Sequence, residues 1–105
     1  MNEFELRYFQ LENGKKPFMD WFDTLDKSIK KRVLTRLDRI QQGNFGDYKK
    51  IDDILYELRL DYGKGYRIYY MVEKNTIIIL LSAGDKSKQS KDILKAKEYI
   101  KLLKG

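Results

Sequence analysis

Glu57 and Arg59 in Leu55-Tyr56-Glu57-Leu58-Arg59, and Arg67 and Tyr69 in Gly65-Tyr66-Arg67-Ile68-Tyr69-Tyr70, are the residues of this sequence best suited to chemistry. Side chains two apart on a strand share a face. Pairing the two segments through their apolar phases, Tyr56, Leu58 and Leu60 with Ile68, Tyr70 and Val72, therefore gathers Glu57, Arg59, Arg67 and Tyr69 on the opposite, exposed surface. Guanidiniums hold phosphate oxygens, a carboxylate can accept a proton, and a tyrosine can stack on a base or donate a proton. The plain alternative for Glu57 is a cross-strand salt bridge on a solvated face, which contributes little. Basic groups arrive at both rims: Tyr48-Lys49-Lys50 precedes the first segment, and Gly84-Asp85-Lys86-Ser87 follows the last strand, where a helix N-terminus offers a seat for an anion or, more simply, a cap supplied by Asp85 or Ser87.

The composition narrows the chemistry. The chain has 105 residues, no cysteine and no histidine, so disulfides, zinc sites built on those ligands and triads built on histidine are excluded. No metal or cofactor is called for. Lys and Arg number 22 against 16 Asp and Glu, a net charge of +6 that suits a polyanionic partner and equally describes solvated helix faces. The longest purely apolar run, Ile77 to Leu81, is far short of a membrane span, and Met1-Asn2-Glu3-Phe4 has no basic region leading into an apolar stretch. The expectation is one soluble domain over 1–105, cytoplasmic and without a membrane partner.

The elements that must position these residues follow from periodicity. Phe4 to Leu11 alternates as a strand. Pro17 opens a short helix with Phe18, Trp21, Phe22 and Leu25 on one stripe, ending near Asp26. From Ser28 a second helix carries Ile29, Val33, Leu37 and Ile40, with Lys27, Lys30, Lys31, Arg32, Arg36 and Arg39 on its other faces, and stops before Gly43. Asn44 to Ile51 reads as a loop or a short extended piece. Strands at Ile54 to Asp61, Tyr66 to Glu73 and Thr76 to Ser82 form a meander, the last two joined by the tight Lys74-Asn75. A helix from Ser87 has Ile93, Ala96, Ile100 and Leu103 on its stripe. The order β-α-α-β-β-β-α describes an α+β fold: a mainly antiparallel sheet, an N-terminal helix hairpin and a C-terminal helix. Helices are expected on one face of the sheet, leaving the other free. Tyr70 falls in the core by phase, and paired exposed aromatics on adjacent strands are not expected.

The block Gly65-Tyr66-Arg67-Ile68-Tyr69-Tyr70 resembles the central hairpin of bacterial type II toxins of the RelE/ParE superfamily. Together with Phe45-Gly46-Asp47-Tyr48-Lys49, Leu55 to Arg59, Gly84-Asp85-Lys86-Ser87 with Gln89, Asp92-Ile93 and Ala96-Lys97-Glu98-Tyr99, it is similar to HigB-type, phage-killer-like addiction module toxins from about Pro17 to Tyr99. The resemblance implies a RelE-like fold and an mRNA endoribonuclease (mRNA interferase) acting in the ribosomal A site to inhibit translation. It also implies a helix-turn-helix, HigA-like antitoxin from the same operon. Arg59 and Arg67 match basic sheet positions of ribosome-dependent members, Lys86 matches the basic position after the last strand, and Glu57 replaces a basic residue used in some relatives. Cleavage would proceed by attack of the RNA 2′-OH on the adjacent phosphate, without metal. Arg59 and Arg67 would clamp the phosphate, Glu57 is the candidate base, Lys86 or Tyr69 would supply the proton, and Lys49 and Lys50 would bind RNA phosphates. A ParE-like inhibitor of DNA gyrase, without nuclease activity, is the alternative within the same superfamily.

Overall fold

The computed structural model describes residues 3–105. Met1 and Asn2, which open the segment read as lacking an export signal, lie outside the described residues. The elements run β1 (Glu5–Tyr8), α1 (Pro17–Asp23), α2 (Lys27–Gln41), β2 (Tyr48–Lys50), β3 (Tyr56–Leu60), β4 (Tyr66–Glu73), β5 (Ile77–Asp85), a 3-10 turn (Lys86–Lys88) and α3 (Gln89–Lys104). They build a five-stranded sheet of order β1-β5-β4-β3-β2. The three pairings β2–β3, β3–β4 and β4–β5 are antiparallel, whereas β1 runs parallel to β5. The predicted meander and helix hairpin are present, and the piece before the meander forms the short edge strand β2.

Local chemistry explains the boundaries. Pro17 starts α1, where its missing N–H costs nothing. Asp26 caps α2 by accepting from the Ile29 amide at 3.0 Å. Lys74 and Asn75 both take positive φ, 54° and 58°, as the tight hairpin between β4 and β5 requires.

The two faces of the sheet differ from expectation. On one, Phe18, Val33, Leu37 and Ile40 of α1 and α2 bury Leu58, Leu60, Ile68, Tyr70, Ile78 and Leu80. The other face is not free: Ala96, Tyr99 and Ile100 of α3 pack with Leu55, Tyr69, Met71, Ile79 and Leu81, and Phe9 stacks on Tyr99 at 4.6 Å. The signal was available in the unbroken apolar run Ile77 to Leu81, since a strand covered on both sides reads as continuous rather than alternating. The main contacts of α3 are with β4 and β5, and β2, at the far edge of the sheet, is exposed along its length.

Arg36 corrects a second expectation. It does not belong to a solvated helix face but turns back, donating to the carbonyls of Arg59 (2.6 Å), Phe45 (3.2 Å) and Asp47 (3.3 Å). It thereby ties the loop after α2, and with it β2, to β3. No helix among the described residues is long and apolar enough to cross a membrane.

Candidate active site

Strand register brings the predicted residues together. Glu57 lies opposite Tyr69, and Arg59 directly opposite Arg67. Two guanidiniums facing each other would repel, and the buried Glu57 carboxylate offsets that. Its Oε1 is 3.3 Å from Arg59 Nε and 4.0 Å from Arg67 Nε. Its Oε2 accepts a hydrogen bond of 2.7 Å from Gln89 Nε2, in the first turn of α3 and 32 residues away in sequence. Arg67 also donates from Nη1 to the Tyr66 carbonyl at 3.0 Å and lies 3.7 Å from Asp61 Oδ1.

Exposure separates these residues. Glu57 is fully buried, Arg67 retains 11% of its side-chain exposure, and Arg59 retains 35%. Tyr69 is buried under α3, not displayed on an open face, because α3 covers this end of the sheet. Burial, reinforced by the charges of Glu57 and Asp92, pushes the Tyr69 hydroxyl well above its ordinary pKa, the opposite direction from that required of a proton donor.

The rim residues divide. Lys86 is exposed and its amide donates to the Gly65 carbonyl at 2.7 Å. Gly65 has φ +75°, and a Cβ there would meet Lys86 Cδ at 3.3 Å and Arg67 Nη1 at 3.8 Å, so lysine and arginine flank one bare α-carbon. Lys49 pairs in register with Glu57 and shares its face, whereas Lys50 pairs with Tyr56 and projects to the opposite face. The anion seat expected after the last strand is filled by the chain itself, since Asp85 accepts from the Ser87 amide at 2.9 Å and from the Ser87 hydroxyl.

A β-bulge decides what lies beneath α3. Tyr69 pairs with Ser82 and Tyr70 with Leu80, leaving Leu81 as the extra residue. Leu81 and Ser82 consequently fall on one face, and Gly84 comes opposite Arg67. The Asp92 carboxylate rests directly on Gly84, where any Cβ would overlap it, and burial raises the Asp92 pKa. Tyr69 Oη, Ser82 Oγ, Asp92 Oδ2 and Arg67 Nε are buried without a hydrogen-bond partner. Strand alternation does not point to Gln89, Asp92, Ser82 or Asp61 as site residues: Gln89 and Asp92 stand in the sequence only as parts of a motif, and nothing local indicates that they fold back over Glu57 and Gly84.

Gly84→Ala should therefore lower stability by about 1–3 kcal/mol, the usual cost of overpacking, by lifting the first turn of α3. Asp92→Ala in the same chain should restore much of the loss. Thermal unfolding of the single and double variants measures both, and no rescue would mean that Asp92 is not what Gly84 accommodates.

A family model described as phage-derived protein Gp49-like matches residues 20–101, a span that contains every residue of this cluster. An uncharacterized protein of Haemophilus influenzae is 44% identical over 81 residues, which cover 76% of this chain and 82% of the relative.

Proposed function

This chain belongs to the Gp49-like family of phage-derived proteins, a RelE-like toxin family commonly found as the toxins of toxin–antitoxin modules, and from that premise we propose that it is a HigB-type, ribosome-dependent mRNA endoribonuclease. The observation that carries the reading is the pair Arg59 and Arg67, set in register and held by one buried carboxylate beside exposed Lys86. Fixed guanidiniums are what a phosphate gaining charge needs, because they require no reorganisation as the reaction proceeds.

In the proposed reaction the RNA 2′-oxygen forms a bond to the adjacent phosphorus and the bond from phosphorus to the 5′-oxygen breaks. Arg59 and Arg67 clamp the non-bridging oxygens. Lys86 donates the proton taken up by the departing 5′-oxygen. Glu57, buried with both oxygens engaged, orients the arginines, and Asp61, 73% exposed and next to Arg67, is the carboxylate a 2′-hydroxyl can reach to leave its proton. Posture imposed on the message by the ribosome supplies much of the remaining rate. A helix-turn-helix, HigA-like antitoxin from the same operon holds the toxin inactive in the cytoplasm.

Brief induction without antitoxin, followed by mapping of message 5′ ends, tests the reading. New ends inside coding regions are expected. Intact messages with collapsing DNA supercoiling would replace it with ParE-like inhibition of gyrase.

Gln89 is the positioning residue of this scheme. Gln89→Ala should lower kcat about tenfold with little change in KM, because it frees Glu57 Oε2 without touching RNA. Gln89→Glu sets a second carboxylate against Glu57, so it should be more active at acidic pH, where the two can share a proton, than at neutral pH, where they repel. Ribosome-bound cleavage across pH checks both, and a flat profile for Gln89→Glu would exclude this role.

A further inference from the structure

The edge strand β2 turns its residues alternately to the two sides of the sheet. Lys49 joins the arginine face, while Tyr48 and Lys50 lie on the opposite one. There Tyr48 ends a run of aromatic rings. Phe45 stacks on Tyr70 at 6.0 Å and 15°, Tyr70 on Tyr56 at 5.4 Å and 17°, and Tyr56 meets Tyr48 at 6.3 Å and 49°. Tyr70 is buried and anchors the run, whereas Tyr48 is 50% exposed. A groove of about 370 Å³, bordered by Phe45, Tyr48, Tyr56, Asp53 and Asn75, opens beside these rings. Tyr48 of β2 and Tyr56 of β3 are thus not register partners, which are Leu58 and Lys50, but diagonal neighbours on one face, Tyr48 exposed and Tyr56 half-buried.

Lysines on an edge strand are a common way to prevent edge-to-edge pairing. That accounts for Lys49 and Lys50 but not for a half-exposed ring held on an ordered stack. Aromatic faces with cations in register are the chemistry that binds single-stranded nucleic acid, the rings taking bases and the cations taking phosphates. Asp53 at the groove repels phosphate, which confines the backbone of such a strand to the lysine side. Lys49 continues that side around the edge to Glu57 and the arginine pair.

We propose that Tyr48 and Tyr56, with Lys50, form a stacking shelf for a base of the same RNA strand that the arginine clamp engages, an inference that rests on the ribonuclease reading and extends its binding surface beyond the reacting phosphate.

Fluorescence anisotropy with a labelled adenosine oligoribonucleotide of about six nucleotides, and with an abasic ribose-phosphate strand of equal length, tests the shelf. Tyr48→Ala should bind the adenosine strand about tenfold more weakly, the loss of one stacked base, and the abasic strand as well as wild type does. Tyr48→Phe should retain wild-type affinity, and Lys50→Ala should weaken both strands and flatten the salt dependence. Thermal unfolding of each variant checks that the fold is kept. Equal binding of the adenosine strand by Tyr48→Ala and wild type would overturn the shelf, and wild-type message cleavage alongside it would leave the ribonuclease reading standing. Failure of wild type both to bind the strand and to cleave messages would remove that reading and the shelf together. A dimer in sedimentation that Tyr48→Ala dissolves would assign the edge to a second copy of the chain and overturn the proposal.

Discussion

Arg67→Ala is expected to slow message cleavage about a hundredfold or more while leaving a protein that folds. The loss corresponds to about 3 kcal/mol of stabilisation withdrawn from the transition state when one fixed donor is removed. Folding survives because Glu57 keeps Arg59 at 3.3 Å and Gln89 at 2.7 Å as partners. Stability should nevertheless fall by about 1–2 kcal/mol, more than an exposed strand residue would cost, since Arg67 keeps only 11% of its exposure. Arg67→Lys should not recover the rate, because an ammonium lacks the planar fork that grips two phosphate oxygens. Single-turnover cleavage of ribosome-bound message, with thermal unfolding of the same preparations, decides the matter. A folded Arg67→Ala protein cleaving at the wild-type rate would end the clamp.

Glu57→Ala should be the most destabilising change in the cluster. It leaves Arg59 and Arg67 opposed across the hairpin with no carboxylate between them and leaves Gln89 without its acceptor. Removing one partner of a buried ion pair costs about 3–5 kcal/mol. At about 4–8 °C per kcal/mol for a domain of this size, melting should fall by more than about 10 °C. Glu57→Gln preserves the shape and removes the charge, so it should unfold at a temperature between the two while still cleaving poorly, because a neutral amide cannot fix two guanidiniums. Calorimetry on the three proteins provides the comparison. Wild-type melting of Glu57→Ala would show that the carboxylate contributes nothing to holding the arginines.

Much of this architecture follows from short-range order. Period-two stretches around Leu58 and Ile68, a positive-φ turn at Lys74-Asn75, and i, i+3, i+4 stripes through Phe18 and Val33 each depend on neighbours within one turn or one hairpin, so they can be read along the chain. The grouping of Glu57, Arg59, Arg67 and Tyr69 on one face follows from the same alternation once the hairpin is in register. The phase of Tyr70, and with it the core on the helix-hairpin side, needs no more than that.

The remaining features depend on where distant segments land. The parallel pairing of β1 with β5 and the docking of α3 on β4 and β5 close the face that alternation left open, and they turn Tyr69 and Glu57 from surface residues into buried ones. The bulge at Leu81 shifts the phase of β5 by one residue, so that Gly84 rather than Ala83 meets Arg67. Arg36 leaves its helix face because three backbone carbonyls converge within its reach, and Gln89 finds Glu57 only because α3 starts beside β3. Which residues can share a face is a matter of strand period and is legible along the chain. Which of them are buried, which are held by a partner and which remain exposed was settled by packing between segments tens of residues apart, which no local period encodes.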